Sequence, residues 1–298
     1  MKEFPVYRID NFEDYNQCQH CGNSFYIREF GKHIQEHNFL DKPHGHDFYI
    51  LLLITKGSGI HNIDFKTYDV KTGAMFFIKP GQVHNWELSK DIDGYIIFFT
   101  KEYLLTEFHF NQLQRLPFFY TRVHEPVMML DEDSVNTICA TFSNIDNEYL
   151  GKGKFYHDII KLNLKILLLE IERRYEDNST VEGVSKYQNN QFYRFEQLVE
   201  ENFKDHKTVS EYAEMMSLSV KQLNGVCKKV LGRTPGDIIQ ERIILEAKRL
   251  LIHSDYPVFS ISETLNYTDN SYFIRLFKKA TSMTPEQFRS RVTLHNVA

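Results

Sequence analysis

The sequence predicts an α+β multidomain protein with an N-terminal β-barrel, a helical appendage to that barrel and an all-α C-terminal domain. Three observations lead to this fold class. Short β-rich runs separated by turn residues fill about the first 125 positions, helical periodicity replaces them beyond about position 131, and a 50-residue repeat occupies the last third of the chain. The 298 residues are enough for two or three domains, each with its own core.

The N-terminal part, residues 1–130, contains five runs that are rich in β-branched and aromatic residues. They are Phe25–Phe30, Phe48–Ile54, Ile60–Phe65, Ala74–Ile78 and Tyr95–Thr100. Turn signals such as Lys56–Gly59 and Lys79–Gly81 separate them. Several short strands at close spacing are typical of a sandwich or barrel, so we expect a closed β-structure here. Glu102–Phe110 is a candidate short helix.

The composition is that of an ordinary globular chain, with 42% hydrophobic and 25% charged residues. The first residues lack the pattern of a secretory signal, and the longest apolar run, Phe48–Ile54, is far too short to cross a bilayer as a helix. Four cysteines in such a chain indicate reduced thiols. We therefore expect a cytoplasmic protein with no membrane partner.

Residues 131–176 form a predicted helical region. Asp131–Ser134 is a helix start, Val135–Leu150 a first helix and Phe155–Tyr175 a second. The second helix has one broad apolar stripe of Ile159, Leu162, Ile166, Leu169 and Ile171, widened by Leu164, Leu167 and Leu168. Such a wide face needs cover from the barrel, from the neighbouring helix or from a second subunit. We expect this region to mediate dimerisation and the polar residues 177–191 to be a linker.

The last third of the chain contains a duplication. Cys227-Lys-Lys and Thr234-Pro235 recur as Phe277-Lys-Lys and Thr284-Pro285, at an offset of 50 residues. Each copy resolves into two short amphipathic helices with a tight turn between them, at Ser217–Ser219 and at Asn266–Asn270. This is the helix-turn-helix pattern. Residues 192–298 are therefore predicted to be an all-α domain with two such units in tandem.

The solvent face of the second helix in each unit is polar and basic. It shows Lys221, Asn224 and Lys228 in the first unit and Asn270, Ser271, Arg275 and Lys278 in the second. Arginine and asparagine read guanine and adenine edges in the major groove, and lysines suit phosphates. Although the net charge is −5, residues 191–298 carry 15 basic and 13 acidic residues. Double-stranded DNA is the predicted partner; the alternative, an ordinary solvated helix face, is disfavoured by the second copy in register.

A helical segment connects the two units. Pro235 suits a helix start, and Gly236–Ile252 has apolar residues along one side. A helix of that length spans roughly 25 Å. It could hold the two recognition helices about one turn of DNA apart, roughly 34 Å, so that both enter successive major grooves on one face.

One segment of the repeat resembles a known family. Ile261–Arg289 reads ISETLNYTDNSYFIRLFKKATSMTPEQFR, which resembles the signature of AraC/XylS-type transcription regulators, and Glu246–Leu251 and the first unit resemble it too. The match covers about residues 205–290. It implies base contacts from Lys221, Asn224 and Gly225 in the first unit and from Asn270, Ser271, Ile274 and Arg275 in the second. Gly225 replaces a long polar side chain of some members, and Asn266 and Ser282 replace glycines.

The front of the chain resembles the cupin-type ligand domain of that family, at Pro43–Tyr49, Lys56–Gly59 and Gly73–Trp86. Cupin enzymes hold a divalent metal with two histidines, a glutamate and a later histidine. His44, His46 and His84 match, but Ile50 stands at the glutamate position. We therefore expect neither metal nor cofactor but a small-molecule effector in the barrel mouth, such as a sugar. Its predicted contacts are His44, His46, Tyr49, Phe77, His84 and Trp86.

A second group of residues imitates a zinc finger. Cys18 and Cys21 precede His33 and His37 across a gap of 11 residues, one fewer than the usual spacing. No helix is predicted to carry the two histidines, because Phe25–Phe30 has the pattern of a strand. We expect an ordinary N-terminal arm, with a zinc site as the alternative.

Three functions are consistent with these features. The first is an effector-responsive, sequence-specific transcription regulator that is not an enzyme, works as a homodimer and has RNA polymerase as a further partner. The second is a metal-dependent cupin enzyme with a helical accessory domain, which would need the missing carboxylate. The third is an effector-independent DNA-binding protein whose barrel only dimerises. The two helix-turn-helix units favour the first.

Overall fold

The computed structural model describes residues 5–12, 24–37, 42–105, 116–120, 125–178 and 184–295. They fall into two compact units, one within Pro5–Thr180 and the other within Val181–Ala298. The strands, all in the first unit, are β1 (Val6–Tyr7), β2 (Phe25–Glu29), β3 (Gly45–His46), β4 (Tyr49–Lys56), β5 (Gly59–Ile63), β6 (Lys66–Val70), β7 (Ala74–Ile78), β8 (His84–Leu88), β9 (Asp93–Phe99) and β10 (Val127–Met129). The helices of the first unit are α1 (Phe30–Glu36), α2 (Lys101–Leu105), α3 (Pro117–Tyr120), α4 (Glu132–Gly151) and α5 (Tyr156–Asn178). Those of the second are α6 (Lys186–Asn202), α7 (Val209–Met215), α8 (Val220–Leu231), α9 (Pro235–His253), α10 (Val258–Thr264), α11 (Asn270–Thr281) and α12 (Pro285–His295).

Two antiparallel sheets form the frame of the first unit. The larger has the order β10-β7-β4-β9-β2 and the smaller β6-β5-β8, with β1 and β3 as a short parallel pair beside them. β4 lies at the centre of the larger sheet and is buried on both faces, which explains its nearly continuous run of apolar residues. A side chain at Gly94 would lie 1.9 Å from the carbonyl oxygen of Leu53, so the close pairing of β9 with β4 depends on glycine there.

All five predicted strands are present within one or two residues, but the short strands β1, β3 and β10 and the longer β6 and β8 were missed. β6 reads Lys-Thr-Tyr-Asp-Val and β8 reads His-Asn-Trp-Glu-Leu. Both are strands of the smaller sheet that place polar residues outward, so neither shows an apolar run. The predicted helix Glu102–Phe110 is present as α2 up to Leu105, and residues 106–110 lie outside the described part of the chain.

The larger sheet separates two hydrophobic cores. One face, with Leu51 and Phe77, packs against α4 and α5. The opposite face, with Leu52 and Phe76, packs together with Trp86 in the interior between the sheets. Because successive side chains of a strand point to opposite faces, neighbouring residues of β4 and β7 belong to different cores. The fold class predicted from the sequence, a cupin-like β-domain with a helical appendage, is confirmed.

Helix α5 covers the sheet with only part of its predicted wide apolar face. Its buried residues are Ile160, Leu164, Leu167, Leu168 and Ile171. Three members of the predicted central stripe, Leu162, Ile166 and Leu169, are 54%, 50% and 47% exposed and are not covered within one subunit. Apolar residues occupy two faces of this helix, and within one subunit only one of them meets the sheet and α4.

The second unit is all-helical, and its first helix corrects the predicted linker. Residues 177–191 were expected to be a linker, but α5 continues to Asn178 and α6 begins at Lys186. The Ser185 hydroxyl accepts a hydrogen bond from the backbone N–H of Gln188, and the Gln188 side-chain oxygen accepts one from the backbone N–H of Ser185. This capping box starts α6. The polar composition had concealed this helix start.

Both predicted helix-turn-helix units are present, as α7 with α8 and α10 with α11. The turns have residues with positive φ at equivalent places, Ser217 (55°) and Asn266 (54°), which are 49 positions apart. The N-caps of the following helices, Ser219 and Asp269, are 50 positions apart. The second turn therefore contains one extra residue, and the 50-residue offset holds only from the recognition helices onward.

Helix α9 is the predicted connection between the units. Thr234 and Asp237 form a capping box with Pro235 in the first turn, and Thr284 and Gln287 repeat the box at the start of α12. Nineteen residues of α-helix, Pro235–His253, span about 28 Å. This length is close to the one predicted for the connecting helix, which we call the strut.

Candidate nucleic-acid interface and histidine cluster

The second recognition helix, α11, presents the predicted residues on its outer side. Phe273 and Phe277 are fully buried and fix the inner face. Ser271, Arg275 and Lys278 are exposed, while Asn270 and Ile274 are half-buried. The carboxylate of Asp269 caps the helix by accepting hydrogen bonds from the backbone of Ser271 and Tyr272 at 2.8 and 3.1 Å.

The first recognition helix, α8, has the same plan with fewer side chains on its outer face. Lys221 and Lys228 are exposed and Asn224 is half-buried, with its Nδ2 donating to the carbonyl of Val220 at 2.9 Å. Gly225, which aligns with Arg275, is exposed, and an added Cβ would meet nothing within 4 Å. The glycine therefore serves no close packing; it leaves a gap in the polar row.

Contacts outside helix α9 also hold the two helix-turn-helix units together. Nδ2 of Asn266, in the second turn, donates to Asp205 before the first unit at 2.7 Å. The ammonium group of Lys207 lies 5.1 Å from the ring centroid of Tyr267. The turn of the second helix-turn-helix unit thus packs on the segment before the first helix-turn-helix unit. This contact restricts the rotation of one helix-turn-helix unit relative to the other.

A buried ion-pair network ties α6 to the strut. The guanidinium of Arg242 is 2.8 Å from Glu200 on α6 and 2.9 Å from Glu246 one turn along α9, and it stacks 3.8 Å above the ring of Phe203. Arg249 lies 3.3 Å from Glu246. The two arginine side chains are only 6% and 3% exposed, so each depends on its partners for the solvation that it lost.

In the N-terminal compact unit, the structure brings four of the six predicted effector contacts together. His44, His46, His84 and Trp86 are all at most 3% exposed and lie ring against ring in the interior. His61, from β5, joins them with its ring centroid 5.2 Å from those of both His84 and Trp86. We refer to these five residues as the histidine cluster. Sequence reasoning missed His61, although its alternation with the buried Ile63 on one strand was a usable signal.

Tyr49 and Phe77 were predicted in the same site, and the structure does not place them there. Tyr49 stacks on Phe99 and contacts Phe119, and Phe77 packs on Phe118. All of these belong to the core under α4 and α5. Each lies next in sequence to a phenylalanine whose ring does meet the cluster: Phe48 meets His46, and Phe76 meets His61.

Hydrogen bonds fix the ring orientations in the histidine cluster. Nδ1 of His44 lies 2.8 Å from the carbonyl oxygen of Lys42, and Nδ1 of His46 lies 2.6 Å from that of Phe48. In each pair the ring nitrogen must be the donor, because a carbonyl only accepts. Burial lowers the pKa of His44, and it holds the pKa of His61 and His84 well below 6.5. These three rings are therefore neutral at pH 7.

The zinc-finger-like group is described only in its second half. His33 lies on α1 and His37 is the C-cap residue of this helix, with ring centroids 4.9 Å apart, so the expectation that no helix carries them is wrong. Nδ1 of His33 lies 2.9 Å from the hydroxyl of Tyr26. Cys18 and Cys21 lie outside the described residues. Within the described ranges, no group of three or more His, Cys, Asp or Glu side chains is arranged to hold a metal ion.

Comparison with known proteins assigns both units to one family. Residues 26–127 match the AraC-like ligand binding domain and residues 212–291 match a helix-turn-helix domain, together more than half of the chain. The chain therefore belongs to the AraC/XylS family of DNA-binding transcription regulators, with a cupin-type N-terminal domain. In the described part of the chain, no helix combines the length and hydropathy that a membrane span requires.

Individual relatives are distant but match over most of their length. The HTH-type transcriptional activator RhaS of Escherichia fergusonii is 23% identical over 83% of this chain and 86% of its own. The arabinose operon regulatory protein of Escherichia coli is 24% identical over 85% and 84%. The HTH-type transcriptional activator RhaR of Mannheimia succiniciproducens is 23% identical over 90% and 95%. The names of these proteins describe two transcriptional activators and one operon regulator.

Proposed function

We propose that this regulator binds a promoter site with both helix-turn-helix units and alters that binding in response to a small hydroxylated molecule, such as a sugar, held at the histidine cluster. The observation that carries the proposal is the pair of capped recognition helices with polar, basic outer faces on one strut. We assign residues 1–130 to effector binding, 131–176 to dimerisation and 192–298 to DNA binding. RNA polymerase is the partner through which such a regulator acts, in the cytoplasm.

The two recognition helices are proposed to contribute unequally. In the second helix-turn-helix unit, Arg275 and Asn270 are the base readers, because arginine pairs with guanine and asparagine with adenine. Ser271 and Ile274, which have shorter side chains, make further base contacts from this face, and Lys278 binds phosphate. In the first unit, Lys221, Asn224 and Lys228 mainly position the helix, because Gly225 contributes no side chain at the place of Arg275. The second half-site should therefore be read with higher specificity than the first.

Substitution of Arg275 tests this assignment. Selection of binding sequences from a random DNA pool with the full chain gives the preferred site, and the affinity of variants is then measured on it. Arg275→Ala should weaken binding by ~1–3 kcal/mol and relax the preference at one base pair, because it removes a bidentate contact. Lys278→Ala should instead weaken binding to all sequences and reduce the salt dependence, because it contacts phosphate.

The matched control is Lys90→Ala, which removes an exposed cation from a turn of the N-terminal compact unit. It should leave both affinity and base preference unchanged. Equal affinity of wild type and Arg275→Ala for the selected site would rule out Arg275 as a base reader.

The sugar effector is supported by the chemistry of the histidine cluster and by one relative. Neutral imidazoles and an indole N–H form hydrogen bonds with hydroxyl groups, and aromatic rings pack on the apolar faces of sugars. The arabinose operon regulatory protein is among the relatives of this chain. L-Arabinose, D-xylose and D-galactose are therefore the first probes, and the binding member should raise the melting temperature of the full chain.

A homodimer through α5 is supported by the spacing of its exposed apolar residues. Ile159, Leu162, Ile166 and Leu169 follow one another at intervals of three, four and three, which are those of the a and d positions of a coiled coil. Leu162, Ile166 and Leu169 are each about half exposed, and Ile159 is partly exposed. A second copy of the same helix is the partner that such a seam fits.

A further inference from the structure

Two histidine rings in the cluster are joined directly. Nε2 of His61 lies 3.0 Å from Nδ1 of His84, and both residues are at most 1% exposed. We propose that His61 and His84 share one proton and together form the polar recognition element of the effector site, which selects a neutral hydroxylated molecule over an acidic one. The choice of ligand rests on the proposed function, whereas the shared proton does not.

The hydrogen bond couples the tautomers of the two rings. A neutral imidazole has one N–H and one bare nitrogen. If Nε2 of His61 donates, Nδ1 of His84 is bare, and His84 must have its proton on Nε2. If Nδ1 of His84 donates instead, Nε2 of His61 is bare, and the proton of His61 must lie on Nδ1. Both rings are therefore Nε2–H or both are Nδ1–H, and a mixed pair would break the hydrogen bond.

The outer nitrogens of the pair make no hydrogen bond with any described residue. They are Nδ1 of His61 and Nε2 of His84, and Nε1 of Trp86 beside them shares this property. Buried polar atoms without a protein partner are costly, which indicates that a bound molecule completes them. Because the tautomers are coupled, one outer nitrogen always donates while the other always accepts.

A hydroxyl group suits this pair, because it both donates and accepts and can match either tautomeric state. A carboxylate only accepts, so it could use one end of the pair and would face a lone pair at the other. The groups that act electrostatically on the two rings are other histidines, His33, His44 and His46. The pair thus offers no permanent cation to offset a buried carboxylate, which is expensive to desolvate.

The shared proton is tested by nitrogen NMR of the full chain labelled with ¹⁵N-histidine. Two-bond and three-bond couplings from ring protons identify which nitrogen carries hydrogen, and the signals of His61 and His84 are assigned from the variants His61→Gln and His84→Gln. At neutral pH, both rings should be neutral and of the same tautomer, or should exchange together between the two. A mixed pair of tautomers, or a charged ring at neutral pH, would overturn the proposal.

Ligand selection is tested with a matched neutral and acidic sugar, D-galactose and D-galacturonate, by melting temperature of the full chain. The neutral member should stabilise the chain at concentrations at least tenfold lower than its acid. His61→Gln keeps an amide within reach of His84 but lacks an atom at the Nδ1 position, so it should fold and lose most of the sugar-induced rise.

Asn62→Ala is the control on the same strand, since the Asn62 side chain accepts a hydrogen bond from Thr67. It should retain the full rise. Stronger stabilisation by the acidic member, or an undiminished rise in His61→Gln, would refute the role of the pair in selection. A panel in which no sugar stabilises the chain would contradict the sugar effector and the selection with it, while the NMR result would still decide the shared proton.

Discussion

Single residues in the left-handed backbone region distinguish the two repeats. Gly232 ends the first recognition helix with φ 72°, and Ser282 ends the second with φ 62°. Glycine adopts this conformation without strain, whereas a side chain there costs on the order of 1 kcal/mol. Ser282→Gly should therefore raise the free energy of unfolding by about 0.5–1 kcal/mol, as measured by urea denaturation of the full chain followed by circular dichroism.

The chain contains its own control for this effect. An added side chain at Gly232 would meet nothing within 4 Å, so Gly232→Ser should cost about the same amount through backbone strain alone. If Gly232→Ser lowers the free energy of unfolding by clearly more than Ser282→Gly raises it, Ser282 makes a contact that compensates for its backbone strain. A loss of stability in Ser282→Gly would contradict the prediction.

Residues of the second helix in each helix-turn-helix unit could be predicted individually, whereas those of the interior of the β-domain could not. On α11, the helical period assigns Phe273 inward and Arg275 outward without reference to the rest of the fold. In the barrel, the face of a residue depends on the register of its strand. One position therefore separates Phe76, which meets His61, from Phe77, which lies in the other core.

At the scale of elements, helix α5 has two apolar faces, of which only one is buried within the subunit. One is buried under the sheet, and the other carries the half-exposed Leu162, Ile166 and Leu169. Ile166→Asp should convert a dimer to monomers without unfolding the chain, because each aspartate would replace about 1.5–3 kcal/mol of apolar burial with a desolvated charge. Analytical ultracentrifugation should show an increase of more than tenfold in the dissociation constant.

Asn136→Asp is the matched control, since it adds the same charge at an exposed position of α4. It should leave the association unchanged. Dimers of equal stability in Ile166→Asp and wild type would exclude this face of α5 as the subunit contact.

The helical elements were predicted more completely than the strands, for a physical reason. A helix records its capping and its buried face within its own sequence, as in the Thr-Pro starts at residues 234 and 284. A strand such as β6 or β8 is stabilised by hydrogen bonds to neighbours that are distant in sequence. Its residues therefore need not form an apolar run, and its existence follows only from the assembled sheet.

For the molecule as a whole, the buried histidines make stability depend on pH. Burial lowers the pKa of His33, His44, His61 and His84 below 6.5, whereas the unfolded chain takes up a proton on each as pH falls through about 6.5. The unfolded state then binds more protons than the folded state. The free energy of unfolding should therefore be highest above about pH 7 and should fall below it, by at most about 1.4 kcal/mol per pH unit for each ring.

Melting temperatures between about pH 7.5 and about pH 5.5 check this expectation. The loss on acidification should be smaller in His84→Gln, which removes one buried titrating group. A melting temperature that rises on acidification would contradict the assignment of neutral rings in the folded protein.

The position of Trp86 has an optical consequence. It is the only tryptophan of the chain, and its ring centroid lies 4.8 Å from that of His84. Indole emission responds to the polarity of its surroundings. A sugar that enters the cluster should therefore shift or quench the intrinsic fluorescence, and a raised melting temperature with unchanged emission would locate that sugar elsewhere. The regulator thus has a single indole, at the place where its effector is proposed to bind.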